Sequence, residues 1–88
     1  MVLGLRALME YYDDGMLSQG ELLEALAETI NEANLDKAAA WLAHHPAIEL
    51  PNTFSRVWFL SSGQRIVLTQ RQVHLMRLLV NKSRALAS

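Results

Sequence analysis

The chain has 88 residues, 51% hydrophobic and 19% charged, with a formal net charge of −1. That describes a single globular domain, rather apolar for its size, able to bury only ~60–65% of its unfolded-state surface. There is no cysteine, which excludes disulfides and thiolate metal sites, and no apolar run reaches the ~18 residues needed to span a membrane.

The opening MVLGLRALMEYYDD has neither a basic n-region nor a small-residue cleavage site. No signal peptide is expected there, and a cytoplasmic location is. Leu5, Leu8, Met9 and Tyr12 recur at helical spacing and predict a first helix over 2–13. Asp13-Asp14-Gly15 ends it, with Gly15 suited to a left-handed conformation. Ser18 then caps a second helix, and Glu21 three residues later completes a capping box. Leu22, Leu23, Leu26 and Ile30 form its apolar face, and Glu21, Glu24, Glu28 and Glu32 line the other as an acidic stripe.

Asn34 caps a third helix from Leu35 to about His45, where Pro46 stops it. Two prolines mark 46–53 as a connector. The β-branched and aromatic runs Arg56-Val57-Trp58-Phe59-Leu60 and Arg65-Ile66-Val67-Leu68 flank the turn sequence Ser61-Ser62-Gly63-Gln64, which predicts a β-hairpin. Thr69 with Gln72 makes a second capping box, opening a last helix from about Gln70 to Ser83. Val73, Leu75, Met76, Leu79 and Val80 are its apolar face. Gln70, His74, Arg77, Asn81 and Arg84 share its polar face, with Arg71 and Lys82 at the margin.

The expected fold is α+β and mostly helical: three N-terminal helices, a β-hairpin and a C-terminal amphipathic helix. It forms one small domain over 1–88, with a helical unit at 1–45, the connector at 46–53, and hairpin plus helix at 54–88.

The near-neutral total hides a division of charge. Residues 1–49 hold all nine acids and only Arg6 and Lys37, a formal charge of −7, whereas 50–88 hold six bases and no acid, +6. Such asymmetry points either to an anionic partner for the basic half or to attraction between the halves. The glutamate stripe and the basic face of the last helix are expected to meet, within one chain or across a dimer.

The stretch DDGMLSQGELLEAL, Asp13–Leu26, resembles the second half of an EF-hand calcium loop and the helix that follows it. With Gly15 at the sixth loop position, Asp14 falls at the fifth, Leu17 at the apolar eighth, Ser18 at the ninth and Glu21 at the twelfth. Glu10 at the first position and Tyr12 at the third depart from the family, and no second hand follows. Calcium is therefore not expected to bind, and the same residues are expected to turn a corner between two helices. Adjacent His44 and His45 point ~100° apart on a helix and do not converge on one ion. No metal and no other cofactor is expected.

The chain offers no nucleophile-elbow sequence and no glycine-rich loop, so no catalytic residue is assigned and an enzyme is not expected. IVLTQRQVHLMRLLVNKSRALAS is similar to the opening strand and helix of the DNA-binding domain of winged-helix response regulators, and to the first helix of other helix-turn-helix domains. No recognition helix follows it here, so the usual major-groove readout has no instrument.

Val57-Trp58-Phe59-Leu60 puts apolar bulk on both faces of a strand, and a two-stranded hairpin has only helices for one of them. The other face, and the apolar excess as a whole, predict a protein partner or a homo-oligomer. The leading expectation is a small non-enzymatic protein–protein interaction module with a regulatory or assembly role. It docks through the hairpin and the basic C-terminal helix, with Trp58, Phe59, Arg71, His74, Arg77 and Arg84 as contacts. The alternative is a small nucleic-acid-binding regulator using the basic half, against which the acidic half would repel a duplex. No membrane partner is expected.

Overall fold

A computed structural model describes residues 4–51, 54–60 and 63–88. Its elements run α1 (Leu5–Asp13), α2 (Gln19–Thr29), α3 (Leu35–Ala43), β1 (Val57–Phe59), β2 (Arg65–Val67) and α4 (Gln70–Ala87). The predicted order and the α+β class are those observed. Gly4 is the extended N-cap of α1, so the helix starts at Leu5, three residues later than the predicted start at residue 2, which lies outside the described residues. Helix α3 stops at Ala43, with His44 as its C-cap. Helix α4 runs on past the expected end at Ser83 because Arg84-Ala85-Leu86-Ala87 holds good helix formers and no breaker.

Both capping boxes form. Ser18 Oγ accepts from Glu21 N at 3.1 Å while Glu21 Oε1 accepts from Ser18 N at 3.1 Å. Thr69 Oγ1 accepts from Gln72 N at 3.1 Å, and Gln72 Oε1 accepts from Thr69 N at 2.8 Å. Each satisfies backbone donors that a helix start leaves without partners. The residues that resemble half of a calcium loop thus serve as the corner between α1 and α2. Gly15 carries that corner at φ +76°, and a Cβ there would meet nothing within 4 Å. Its role is conformational only. Gly15→Val is expected to destabilise the fold by ~1–2 kcal/mol through left-handed strain, read by thermal or urea denaturation; a neutral result would refute the corner's geometry.

The buried apolar residues form one core, with Leu8, Leu22, Leu23, Leu68, Met76 and Leu79 fully enclosed. Helix α4 packs most extensively on α3 and also touches α2, while α1 lies on α2. The alanines Ala38 and Ala39 are both buried, as close approach of α3 requires.

The strands pair antiparallel, Val57 with Val67, Trp58 with Ile66 and Phe59 with Arg65. Leu60 N donates to Gln64 O at 2.9 Å, and Gly63 at φ +90° completes the reversal. Ser61 and Ser62 of the predicted turn lie outside the described residues. The hairpin's loop end rests on the first turn of α2, where a Cβ on Gly20 would stand 2.1 Å from Gln64 Oε1 and 2.8 Å from Leu60 Cδ1. Gln64 Nε2 then donates to Glu24 Oε2 at 2.9 Å, tying hairpin to helix.

Candidate functional site

Pairing in the hairpin divides its side chains by the period-two rule of a strand. Trp58 and Ile66 face the core, and Phe54 stacks edge-on against Trp58 at 4.8 Å between ring centroids. Val57, Phe59, Arg65 and Val67 face outward, and Phe59 and Val67 are 64% and 61% exposed. The face that other parts of the chain leave uncovered is therefore carried by Val57, Phe59 and Val67. Trp58, 8% exposed, belongs to the core and gives this face its support rather than its contact surface. A shallow pocket of about 180 Å³ lies beside Phe59, lined also by Glu49, Leu50, Pro51, Leu60 and the edge of Trp58 that remains accessible.

The basic helix is divided in its duties. Arg71 Nη2 donates to both oxygens of Glu32, at 2.9 and 2.7 Å, which joins the start of α4 to the end of the acidic stripe. The guanidinium holds the Glu32 carboxyl below the usual carboxylate range, and the nearby His74 adds to the effect. Lys82 pairs with Asp36 on α3. Arg77 and Arg84 do otherwise. Arg77 Nη2 donates to Phe54 O at 2.8 Å, and Arg84 Nη2 to Pro51 O at 3.1 Å. Arg84 thereby holds a carbonyl of the connector and Arg77 one just beyond it, while Arg71, at the margin of their face, is the arginine that reaches the stripe within the chain. The carbonyls of this connector need donors, and the arginines supply them. From the other side Gln19 brackets it, donating to Ala47 O at 2.9 Å and accepting from Glu49 N at 3.2 Å.

Along the stripe, Glu21 is held in its capping box, Glu24 by Gln64 and Glu32 by Arg71, while Glu28 stands exposed. The two adjacent histidines point to backbone carbonyls one turn back, His44 Nδ1 to Ala40 O at 2.8 Å and His45 Nδ1 to Trp41 O at 2.7 Å. His45 stacks on Trp41 at 3.8 Å and its Nε2 reaches Asp13 Oδ1 at 2.9 Å, fastening α3 to the end of α1. Among the described residues, no group of three or more His, Cys, Asp or Glu is placed to hold a metal ion, and no helix is long and apolar enough to cross a membrane.

A second concave feature involves residues that the spacing of the last helix only half revealed. His74 and Arg77 of α4 share an open groove with Gln70, Val73, Ser55 and Arg56. The polar face of α4 was legible in the sequence, but its meeting with the segment before β1 was not. Compared with family models, with curated proteins and with solved structures, the chain has no match.

Proposed function

We propose that this protein is a small non-enzymatic protein–protein interaction module, with a regulatory or assembly role, that docks through the outer face of its hairpin. The observation that carries this reading is the exposure of Val57, Phe59 and Val67 side by side on one sheet face. Large apolar side chains grouped on an exposed face mark interaction sites, and Arg65 among them favours a partner surface bearing carboxylates.

The chain itself offers such a surface. Tyr11 and Met16 are exposed near the end of α1, with Glu10 and Asp14 beside them in sequence. The partner we assign is accordingly a second copy, joined hairpin to α1 end. Made once per pair of copies, that contact is heterologous and builds rings or longer assemblies; made reciprocally, it closes a two-fold dimer. A nucleic-acid role for the basic half is the weaker reading, because Arg77 and Arg84 are engaged with the connector and Arg71 and Lys82 with acids.

Size-exclusion chromatography with light scattering tests this. The wild-type protein is expected to form assemblies whose mass rises with concentration and falls with added salt. Phe59→Lys should yield monomers with an unchanged melting temperature. A wild-type protein that stays monomeric at high concentration and binds no hydrophobic dye would overturn the proposal.

A further inference from the structure

We infer that the groove between α4 and the segment leading into β1 is a binding site for a phosphomonoester. The inference is independent of the hairpin face. The groove has a volume of about 380 Å³ and is lined by Ser55, Arg56, Gln70, Val73, His74 and Arg77. That is the size of a small-molecule pocket. Its lining offers two guanidinium groups, an imidazole, a hydroxyl and a carboxamide over a buried valine. No carboxylate is among its lining residues. Glu32 lies close enough to feel the charge of His74, and both its oxygens accept from Arg71.

The arginines are partly positioned before any ligand arrives. Arg77 Nη2 donates to Phe54 O at 2.8 Å, and Arg56 Nε to Leu68 O in a longer contact of 3.5 Å. A guanidinium has five N–H donors, so each of these bonds leaves others for a ligand. Holding the side chain by one nitrogen lowers the entropy lost when the rest engage an anion. Two forked cations lining one groove with an uncharged donor suit a dianionic tetrahedral group better than a single carboxylate, because the fork matches phosphate oxygens pairwise. A nucleic-acid backbone fits less well. It asks for a run of cations along a track, and the other cations of α4 are paired to Glu32, to Asp36 and to the connector.

The source of the phosphoryl group is either a free small molecule or a phosphorylated side chain, and the test separates them. The isotopically labelled protein is titrated with phenyl phosphate, with a short phosphoserine peptide and with sodium chloride of matched ionic strength, followed by amide NMR shifts. Saturable shifts confined to Ser55, Arg56, Gln70, His74 and Arg77 are expected with the phosphates, with a Kd of ~1 mM or tighter. Tighter binding of the peptide assigns a protein-borne group, and tighter binding of phenyl phosphate a free one; either order sustains the site. Arg77 also supports the connector, so Arg56→Gln carries the mutational test. It should keep the wild-type melting temperature and weaken phosphate binding by about tenfold or more, the size of one lost charge-assisted hydrogen bond. Shifts that match those of sodium chloride, or undiminished binding by the folded Arg56→Gln variant, would overturn the inference.

Discussion

Trp58→Ala is expected to lower the free energy of unfolding by ~3–5 kcal/mol, the range for deleting a buried aromatic side chain. For a domain of 88 residues that is a large share of all the stability it has. Trp58 pairs across the hairpin with Ile66, which is also buried, and its ring meets Phe54. Three-residue strands hold together weakly by themselves, so the hairpin keeps its place mainly through this inward pair. Losing the indole leaves a cavity that the short strands can close only by giving up their register. Phe59 is the internal control, one residue away on the opposite face. Phe59→Ala should change folding stability by no more than ~0.5 kcal/mol, as is usual for exposed sites, while removing the proposed docking anchor. Urea denaturation followed by far-UV circular dichroism checks both, since Trp41 would complicate a fluorescence readout. Equal losses for the two variants would mean that the hairpin does not divide its faces as described.

That pair of residues also shows what the sequence could and could not tell. The turn glycine and the β-branched runs announce the hairpin, but Val57-Trp58-Phe59-Leu60 is apolar at every position. Alternation cannot assign faces when both alternatives are apolar, because a shift of one residue exchanges every side chain between them. Which of Trp58 and Phe59 is covered was settled by tertiary packing, through Phe54 and the register with Ile66. The helix starts were legible for the opposite reason. Ser18 with Glu21, and Thr69 with Gln72, act within four residues, so local chemistry fixes them without help from the rest of the fold. The end of α4 was less so, because nothing in Arg84-Ala85-Leu86-Ala87 signals a stop. The contact of His45 with Asp13 spans 32 residues and follows from no spacing along the chain.

The polar face of α4 brings the same lesson to charge. Its arginines could be counted and placed on one side, and their number suggested an acidic counterpart. Backbone carbonyls are acceptors too, however, and a pattern of side chains does not display them. The connector at 46–53 looked like a spacer on the strength of its prolines. In the structure its Ile48 is buried, as is Phe54 just beyond it; its carbonyls and amides are met by Gln19 and Arg84, and the Phe54 carbonyl by Arg77. Its described residues, 46–51, are thus built into the packing of the domain.

The distinction between these two uses of arginine can be measured. Arg77→Met is expected to cost ~1–3 kcal/mol of folding stability, because it removes the donor to Phe54 O and leaves a partly buried carbonyl without that partner. Methionine keeps an apolar stem over the helix, so packing loss is kept small and the hydrogen bond is what is tested. Arg71→Met removes a bidentate bond to Glu32, yet both groups are well exposed, with side chains 61% and 72% accessible. A pair so placed contributes little, since water solvates both ions nearly as well when they are apart. Salt should separate the two variants further. Screening acts on exposed charges over roughly 10 Å at moderate ionic strength, so the deficit of Arg71→Met should shrink as sodium chloride is added. A bond to a neutral carbonyl has no such counter-charge to screen, and the deficit of Arg77→Met should persist. Urea denaturation of both variants at low and high salt reads these quantities directly. If Arg71→Met proved the more damaging, or if salt erased the Arg77→Met deficit, the basic face would be working through ion pairs after all, and the connector would not depend on α4 for its position.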